Sequence, residues 1–191
     1  MILGVDPGAK TGLVVLGTIS RLPFVLFRGA ATADGLAEMV RGICRDFPPD
    51  VLAIELPSQV FAHGRGASSM GARVGIERSL LAARDVAGVI KGIVSTLCPD
   101  VRVFEEQAHN VRRAVLGRIP RAPKGTDARV WIDGIVRRRV PLLVTGWMPG
   151  HGDNDHNRDA AVAALWGEKR SRLPAALAAP KRRAPRARRA A

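Results

Sequence analysis

The stretch MILGVDPGAKTGLVVL, residues 1 to 16, opens with an apolar run from Ile2 to Val5 that stops at a carboxylate, Asp6. Pro7 and Gly8 break the run, a second one follows from Leu13 to Leu16, and a third spans Pro23 to Phe27. Short apolar runs joined by glycine-bearing turns predict three strands in an antiparallel meander. Farther on, Asp34 to Phe47 carries Leu36, Met39, Val40 and Ile43 at helical spacing, with Asp34 as N-cap, and Pro48 and Pro49 end that helix. Val51 to Ile54 is then a compact apolar strand that again runs into a carboxylate, Glu55.

Beyond Glu55 the Gly- and Ser-rich stretch from His63 to Gly71 predicts a loop. Arg73 to Leu97 reads as one long helix with Val74, Leu81, Val86, Val89, Ile90, Ile93 and Leu97 as its apolar positions. Gly75, Gly88 and Gly92 either weaken it or let another helix approach closely. Val101 to Phe104 predicts a fifth strand, and Ala108 to Leu116 and Thr126 to Arg139 two helices around the basic loop GRIPRAPKG, residues 117 to 125. A Pro- and Gly-rich linker, residues 144 to 152, precedes a last helix from Asp155 to Trp166. The order β-β-β-α-β-α-β-α-α-α predicts an α/β fold: a five-stranded mixed sheet, three antiparallel strands and then parallel ones, with helices on its faces.

The composition is that of a globular chain of one domain: 191 residues, 47% hydrophobic. Aromatic residues are only 4% and Tyr is absent, which argues against a base-stacking platform of exposed rings. The formal net charge of +13 is unevenly spread, because residues 168 to 191 hold nine Lys or Arg against one acid. Residues 1 to 167 are therefore expected to form the folded domain, and 168 to 191 a basic, disordered tail. That tail is either a solubilising extension or a non-specific nucleic-acid arm whose grip fades with salt. Cys44 and Cys98, in no metal-ligand spacing, read as buried thiols in a reducing compartment. No apolar run approaches the roughly 20 residues of a membrane span, and the immediate opening strand leaves no room for a signal peptide. A cytoplasmic location without membrane contact is the expectation.

Two features carry the chemistry. An acid placed directly after an apolar strand is costly unless something uses it, and both Asp6 and Glu55 stand in that position. If their strands are neighbours, both carboxylates project from one edge of the sheet. The third acidic element is HGDNDHNRDAAVAALW, residues 151 to 166. On a helix His156 and Asp159 share a face, and Asp155 is the alternative to His156 if the register differs. Taken singly, Asp6 is a turn former before Pro-Gly, Glu55 an edge residue, and the acids from Asp153 to Asp159 a solvated first helical turn. Their conjunction is what points to a metal site. Competing motifs fail: the spacing of Asp153, Asp155, Asn157 and Asp159 suits a calcium loop, but Arg158 stands where Gly is required and Ala164 where Glu is required. His151 and His156 lack the paired cysteines of a structural zinc site, and the glycines at 64 and 66 follow no phosphate-binding pattern.

In the same order along the chain, these segments resemble RuvC-type Holliday-junction resolvases, the crossover junction endodeoxyribonucleases. The opening strand-turn-strand shares the family's Asp6, Pro7, Gly8 and Gly12; VLAIELPSQVF resembles its second motif; VFEEQAHNVRRAVLG is similar to its stretch after the fifth strand; PKGTDARVWIDGIV resembles its basic loop and helix; and HNRDAAVAALW its final helix. The likeness runs from residue 2 to about 167. It implies an RNase H-like fold and a homodimer that nicks opposed strands of four-way DNA junctions in recombination and repair, leaving 5′-phosphate and 3′-hydroxyl ends. The metal-site positions it implies are Asp6, Glu55, His156 and Asp159. Phosphodiester hydrolysis needs an activated water and relief of charge on the leaving 3′-oxygen. Two hard cations about 4 Å apart, Mg²⁺ with Mn²⁺ as substitute, supply both and prefer carboxylates. On this reading Asp6 bridges the ions, Glu55 and Asp159 each hold one, and His156 either ligates or orients the water. The resembled segments also nominate Arg112, Arg113, Arg118, Arg121 and Lys124 as DNA contacts, with Arg112 and Lys124 at phosphate-contact positions. Phe61 is either a wedge against junction bases or a core residue. Alternative substrates are flaps, forks or hybrids; the alternative class is a non-catalytic nucleic-acid-binding module. Branch-migration or other recombination proteins are possible partners.

Overall fold

The computed structural model describes residues 1–19, 22–57, 70–139 and 152–173. Five strands, β1 (Ile2–Asp6), β2 (Lys10–Ile19), β3 (Leu22–Thr32), β4 (Val51–Leu56) and β5 (Arg102–Gln107), form one mixed sheet in the order β3-β2-β1-β4-β5. β1, β2 and β3 pair antiparallel, while β4 runs parallel to both β1 and β5. The predicted α/β architecture and its mixed sheet are therefore present. The helices are α1 (Ala33–Asp46), α2 (Met70–Leu97), α3 (Ala108–Leu116), α4 (Ala128–Arg139) and α5 (Gly152–Ser171). None in the described residues is long and apolar enough to cross a membrane.

Side chains of a strand alternate between faces, and that alternation builds two different layers. Leu3, Val5, Leu13, Val15, Leu52 and Ile54 pack on one face with Leu36, Val40 and Ile43 of α1 and Ala87, Ile90 and Val94 of α2. The opposite face takes Ile2, Val14, Leu16 and Val51 against Ala160, Ala161, Ala164 and Leu165 of α5. Ala53 joins Val162, Ala163 and Trp166 of α5 beneath α3 and α4. Every residue from Asn157 to Glu168 is buried, so α5 is a central helix covered on all sides.

Two glycines permit that burial. A Cβ on Gly4 would collide with the Ala160 carbonyl and stand 2.6 Å from the Ala164 Cβ. A Cβ on Gly12 would run into the His156 backbone. Only hydrogen at those two positions lets the start of α5 lie directly on β1 and β2. By contrast, nothing among the described residues lies within 4 Å of a Cβ built on Gly75, Gly88 or Gly92, so no described helix approaches α2 there.

Several boundaries differ from the expected ones. The hairpin arms are longer than residues 13 to 16 and 23 to 27, because pairing continues from Ile19↔Leu22 to Lys10↔Thr32 with a bulge at Val15 and Leu16; on this edge strand Pro23 is tolerated. Thr32, not Asp34, is the N-cap of α1 and makes no side-chain cap hydrogen bond. Asp34 lies in the first turn, where its charge suits the helix dipole. β5 includes Glu105 and Glu106, which the resemblance put after the strand; ladder pairing with Ile54 and Glu55 keeps them extended. α5 starts at Gly152 rather than Asp155 and runs through Ser171, past Glu168. Cys44 and Cys98, distant in sequence, meet between α1 and the end of α2, and burial pushes the Cys44 thiol up to about 12.

Candidate active site

Asp6 belongs to the Ile2, Gly4 series of β1 and Glu55 to the Val51, Ala53 series of β4, so both carboxylates emerge on the α5 face. The parallel register Val5↔Ile54 sets them side by side at the ends of adjacent strands. Thr11 holds the intervening turn: its buried hydroxyl donates to the Gly8 carbonyl at 3.1 Å and accepts from the Gly8 N–H at 3.4 Å. Because α5 rests on Gly4 and Gly12, its early turns deliver His156 and Asp159 to the same place.

The structure thus brings together all four predicted centre residues. His156 Nδ1 lies 3.0 Å from Asp6 Oδ2. The Arg112 guanidinium, from α3, bridges the other two acids through Nη2, 3.0 Å from Glu55 Oε1 and 2.8 Å from Asp159 Oδ2. Asp155 points elsewhere, accepting from Arg158 Nη1 at 3.0 Å. His156 and Asp159, three residues apart, thus lie on the side of α5 that meets Asp6 and Glu55, and Asp155 lies on the Arg158 side.

Burial decides the electrostatics. It raises the Asp6 carboxyl above its ordinary 3.8, with the nearby Asp159 adding to the rise and the His156 hydrogen bond opposing it. Glu55, only 2% exposed, is held well above 4.5, since burial together with the charges of Asp159 and Asp6 outweighs the Arg112 guanidinium. The hydrogen bond to Asp6 raises the His156 imidazole above 6.5. Arg112 is itself raised, because the three acids more than offset its burial.

Among the described residues no three His, Cys, Asp or Glu side chains are grouped as a ready metal centre, and the Arg112 guanidinium occupies the space between Glu55 and Asp159. The donor chemistry nonetheless fits a hard cation. Three carboxylates converge, two of them reluctant to ionise, and Glu55 Oε2 is buried without a hydrogen-bond partner. Extra positive charge would satisfy all three.

A cleft of about 820 Å³ opens from this centre, lined by Asp6 and Glu55 and by His109, Arg112, Arg113 and Arg118 from α3 and the loop after it. Of the predicted DNA contacts, Arg112, Arg113 and Arg118 therefore lie at the cleft. Arg121 and Lys124 lie farther along the loop and are not in its lining. That loop is anchored to α4 by Trp131 Nε1, which donates to the Pro120 carbonyl at 3.0 Å. Phe61 lies outside the described residues. Two residues were missed in sequence. His109 shares a helix face with Arg113, four residues on. Arg158 is a buried cation standing between Asn157 and Asp159, just ahead of the apolar run that begins at Ala160, and nothing local in the sequence marks it as buried.

No protein-family model and no curated protein sequence matches the chain. Among solved structures it is similar to Thermus thermophilus RuvC in complex with a Holliday junction substrate, with 17% identity and a TM-score of 0.54 over 90% of this chain and 94% of that one. A second Thermus thermophilus RuvC structure gives 19% identity and a TM-score of 0.51 over 90% and 95%. A fowlpox virus resolvase with Holliday junction DNA gives 13% and 0.48 over 88% and 99%. The fold is thus RuvC-like, and with it RNase H-like, as the sequence motifs imply.

Proposed function

We propose that the chain is a divalent-metal-dependent endonuclease that resolves four-way DNA junctions by paired nicks, acting as a homodimer. The observation that carries this reading is the gathering of Asp6, Glu55 and Asp159 from three distant segments, two of them, Asp6 and Glu55, lining a cleft together with Arg112, Arg113 and Arg118. Its support is the RuvC-like fold, since the neighbouring structure holds a Holliday junction substrate. The exposed Leu81, Val89 and Leu97 of α2 are compatible with a second copy.

Asp6, Glu55 and Asp159 would hold the ions. Bound there, Mg²⁺ or Mn²⁺ neutralises charge at the phosphate and acidifies a water. His156 fixes the Asp6 carboxylate through Nδ1, and its other ring nitrogen is left to take a proton. Arg113 and Arg118 hold the DNA backbone along the cleft, and Arg112, paired with Glu55 and Asp159, stands beside them in the same lining.

Asp6→Asn is expected to bring cleavage of a synthetic four-way junction in Mg²⁺ or Mn²⁺ below detection while junction binding in Ca²⁺ stays within about threefold of wild type. Metal-dependent cutting by that variant would defeat the assignment. A panel of flaps, forks and RNA–DNA hybrids tests the substrate, and preference for one of these over the junction would move the reading there. The pairing of Arg112 with Glu55 and Asp159 favours one other reading, a binding module whose acids need no metal. Absence of metal-stimulated cleavage across the panel would support it.

A further inference from the structure

Arg158 stands apart from the cations that line the cleft. Its side chain is only 5% exposed and sits within the buried span of α5. A guanidinium in such a place costs several kcal/mol unless its charge and N–H groups are matched. Here they are. Nε and Nη2 grip the two oxygens of Asp159 at 3.1 and 3.3 Å, and Nη1 donates to Asp155 at 3.0 Å. Asp133 Oδ1 of α4 stands 4.0 Å from Nη1. Successive helix residues project about 100° apart and do not face each other, so closing this fork on the adjacent Asp159 takes the full reach of the arginine side chain. A lysine supplies the charge but not the fork.

We propose that Arg158 is a positioning residue that fixes the Asp159 carboxylate in the orientation from which it meets a divalent cation. This rests on the nuclease reading above. With both oxygens of Asp159 held by Arg158, the carboxylate is kept from turning, and Oδ2 also meets Arg112 at 2.8 Å. The contrast with Arg112 is instructive. Arg112 touches the same carboxylate from the cleft side, its side chain is 27% exposed, and its Nε is buried without a partner. That contact is replaceable by a cation. The Arg158 grip is braced from α4 and α5 and remains in place.

The test compares full-length wild type with Arg158→Lys, which keeps the charge and loses the fork, and with Asp133→Asn, which removes one brace at the edge of the site. Mn²⁺ binding is measured calorimetrically without DNA, and kcat and KM on a four-way junction are followed as Mn²⁺ is raised. Outer contacts to metal ligands typically change metal affinity or activity by about 10- to 100-fold. Arg158→Lys is expected to lose Mn²⁺ affinity on that scale and to need correspondingly more Mn²⁺ for half-maximal kcat. KM for DNA is expected to be unchanged. Asp133→Asn moves the same way by less. Wild-type Mn²⁺ affinity in Arg158→Lys would overturn the proposal, whatever happens to thermal stability, and would reduce Arg158 to a structural counter-ion. If Arg158→Lys does not fold, Asp133→Asn decides by the same measurement. Should wild type bind Mn²⁺ and cut nothing while Arg158→Lys binds it weakly, the positioning role stands and the nuclease reading falls. Failure of wild type to bind Mn²⁺ removes both.

Discussion

Glu55 concentrates the energetic tension of the centre in one side chain. Its folded-state pKa lies above the ordinary 4.5, with burial as the leading cause. An acid with a raised folded pKa favours the native state below its unfolded pKa, and that contribution is lost as pH climbs through the folded value. Metal-free protein should therefore lose stability as pH rises above about 4.5 on account of Glu55. Glu55→Gln keeps the shape and an acceptor for Arg112 and removes the titration. Its melting temperature should match wild type near pH 4 and exceed it by a few degrees at pH 8, since 1 kcal/mol is worth about 2–4 °C in a chain of this size. Adding Mn²⁺ at pH 8 should raise wild type and not the variant. A pH-independent difference between the two, followed by calorimetry, would show that Glu55 carries no such tension. At this scale the positions of Asp6 and Glu55 were legible in the sequence, because each ends a continuous apolar run and the two stand together with the acids of residues 153 to 159. Arg112 was not fully legible. A basic residue on a short helix suggests a phosphate contact, and only the packing of α3 against α5 puts it between two carboxylates.

At the scale of elements, the site exists because α5 rests on β1 and β2 with nothing but hydrogen at Gly4 and Gly12. Gly4→Ala would press a methyl into the Ala160 carbonyl and Ala164, both on the helix itself. Overpacking of this kind costs about 1–3 kcal/mol. Because α5 carries His156 and Asp159, cleavage should fall further than stability does. Gly88→Ala is the control: its Cβ meets nothing within 4 Å, and replacing a glycine inside a helix should stabilise by about 0.5–1 kcal/mol. Urea denaturation of both variants checks the pair; a stabilised Gly4→Ala would mean that α5 does not lie where it is described. Element types and order were readable, since apolar runs, helical spacing and proline breaks are local signals. The difference between glycines was not, because Gly4 and Gly88 look alike in sequence and differ only in what a distant segment brings against them. Strand lengths in the hairpin were underestimated for the same reason. Residues such as Lys10 and Thr32 become strand by pairing with each other, a long-range condition that no local apolar run reports.

At the scale of the whole molecule, the proposed function assigns the basic charge to holding DNA and the acidic centre to cutting it. The formal net charge is +13, and residues 174–191 contribute six Lys or Arg with no acid. The centre formed by Asp6, Glu55, His156 and Asp159 lies entirely upstream of that segment. Cations that neutralise phosphates release counterions, so each contact steepens the salt dependence of binding by about 0.9 in a plot of log affinity against log salt. Truncation after Leu173 should therefore flatten the slope for a four-way junction by about 3 to 5 between 50 and 200 mM NaCl, as read by fluorescence anisotropy. Affinity should fall most at the low-salt end, where released counterions count for most. The single-turnover cleavage rate at saturating DNA and Mn²⁺ should stay within about twofold, because Asp6, Glu55, His156 and Asp159 are all retained. An unchanged slope would assign the tail no role in holding DNA and leave the basic surface around Arg113 and Arg118 to supply the grip. A lost cleavage rate at saturation would tie the tail to the chemistry itself, contrary to the division of labour that the position of the acidic centre implies.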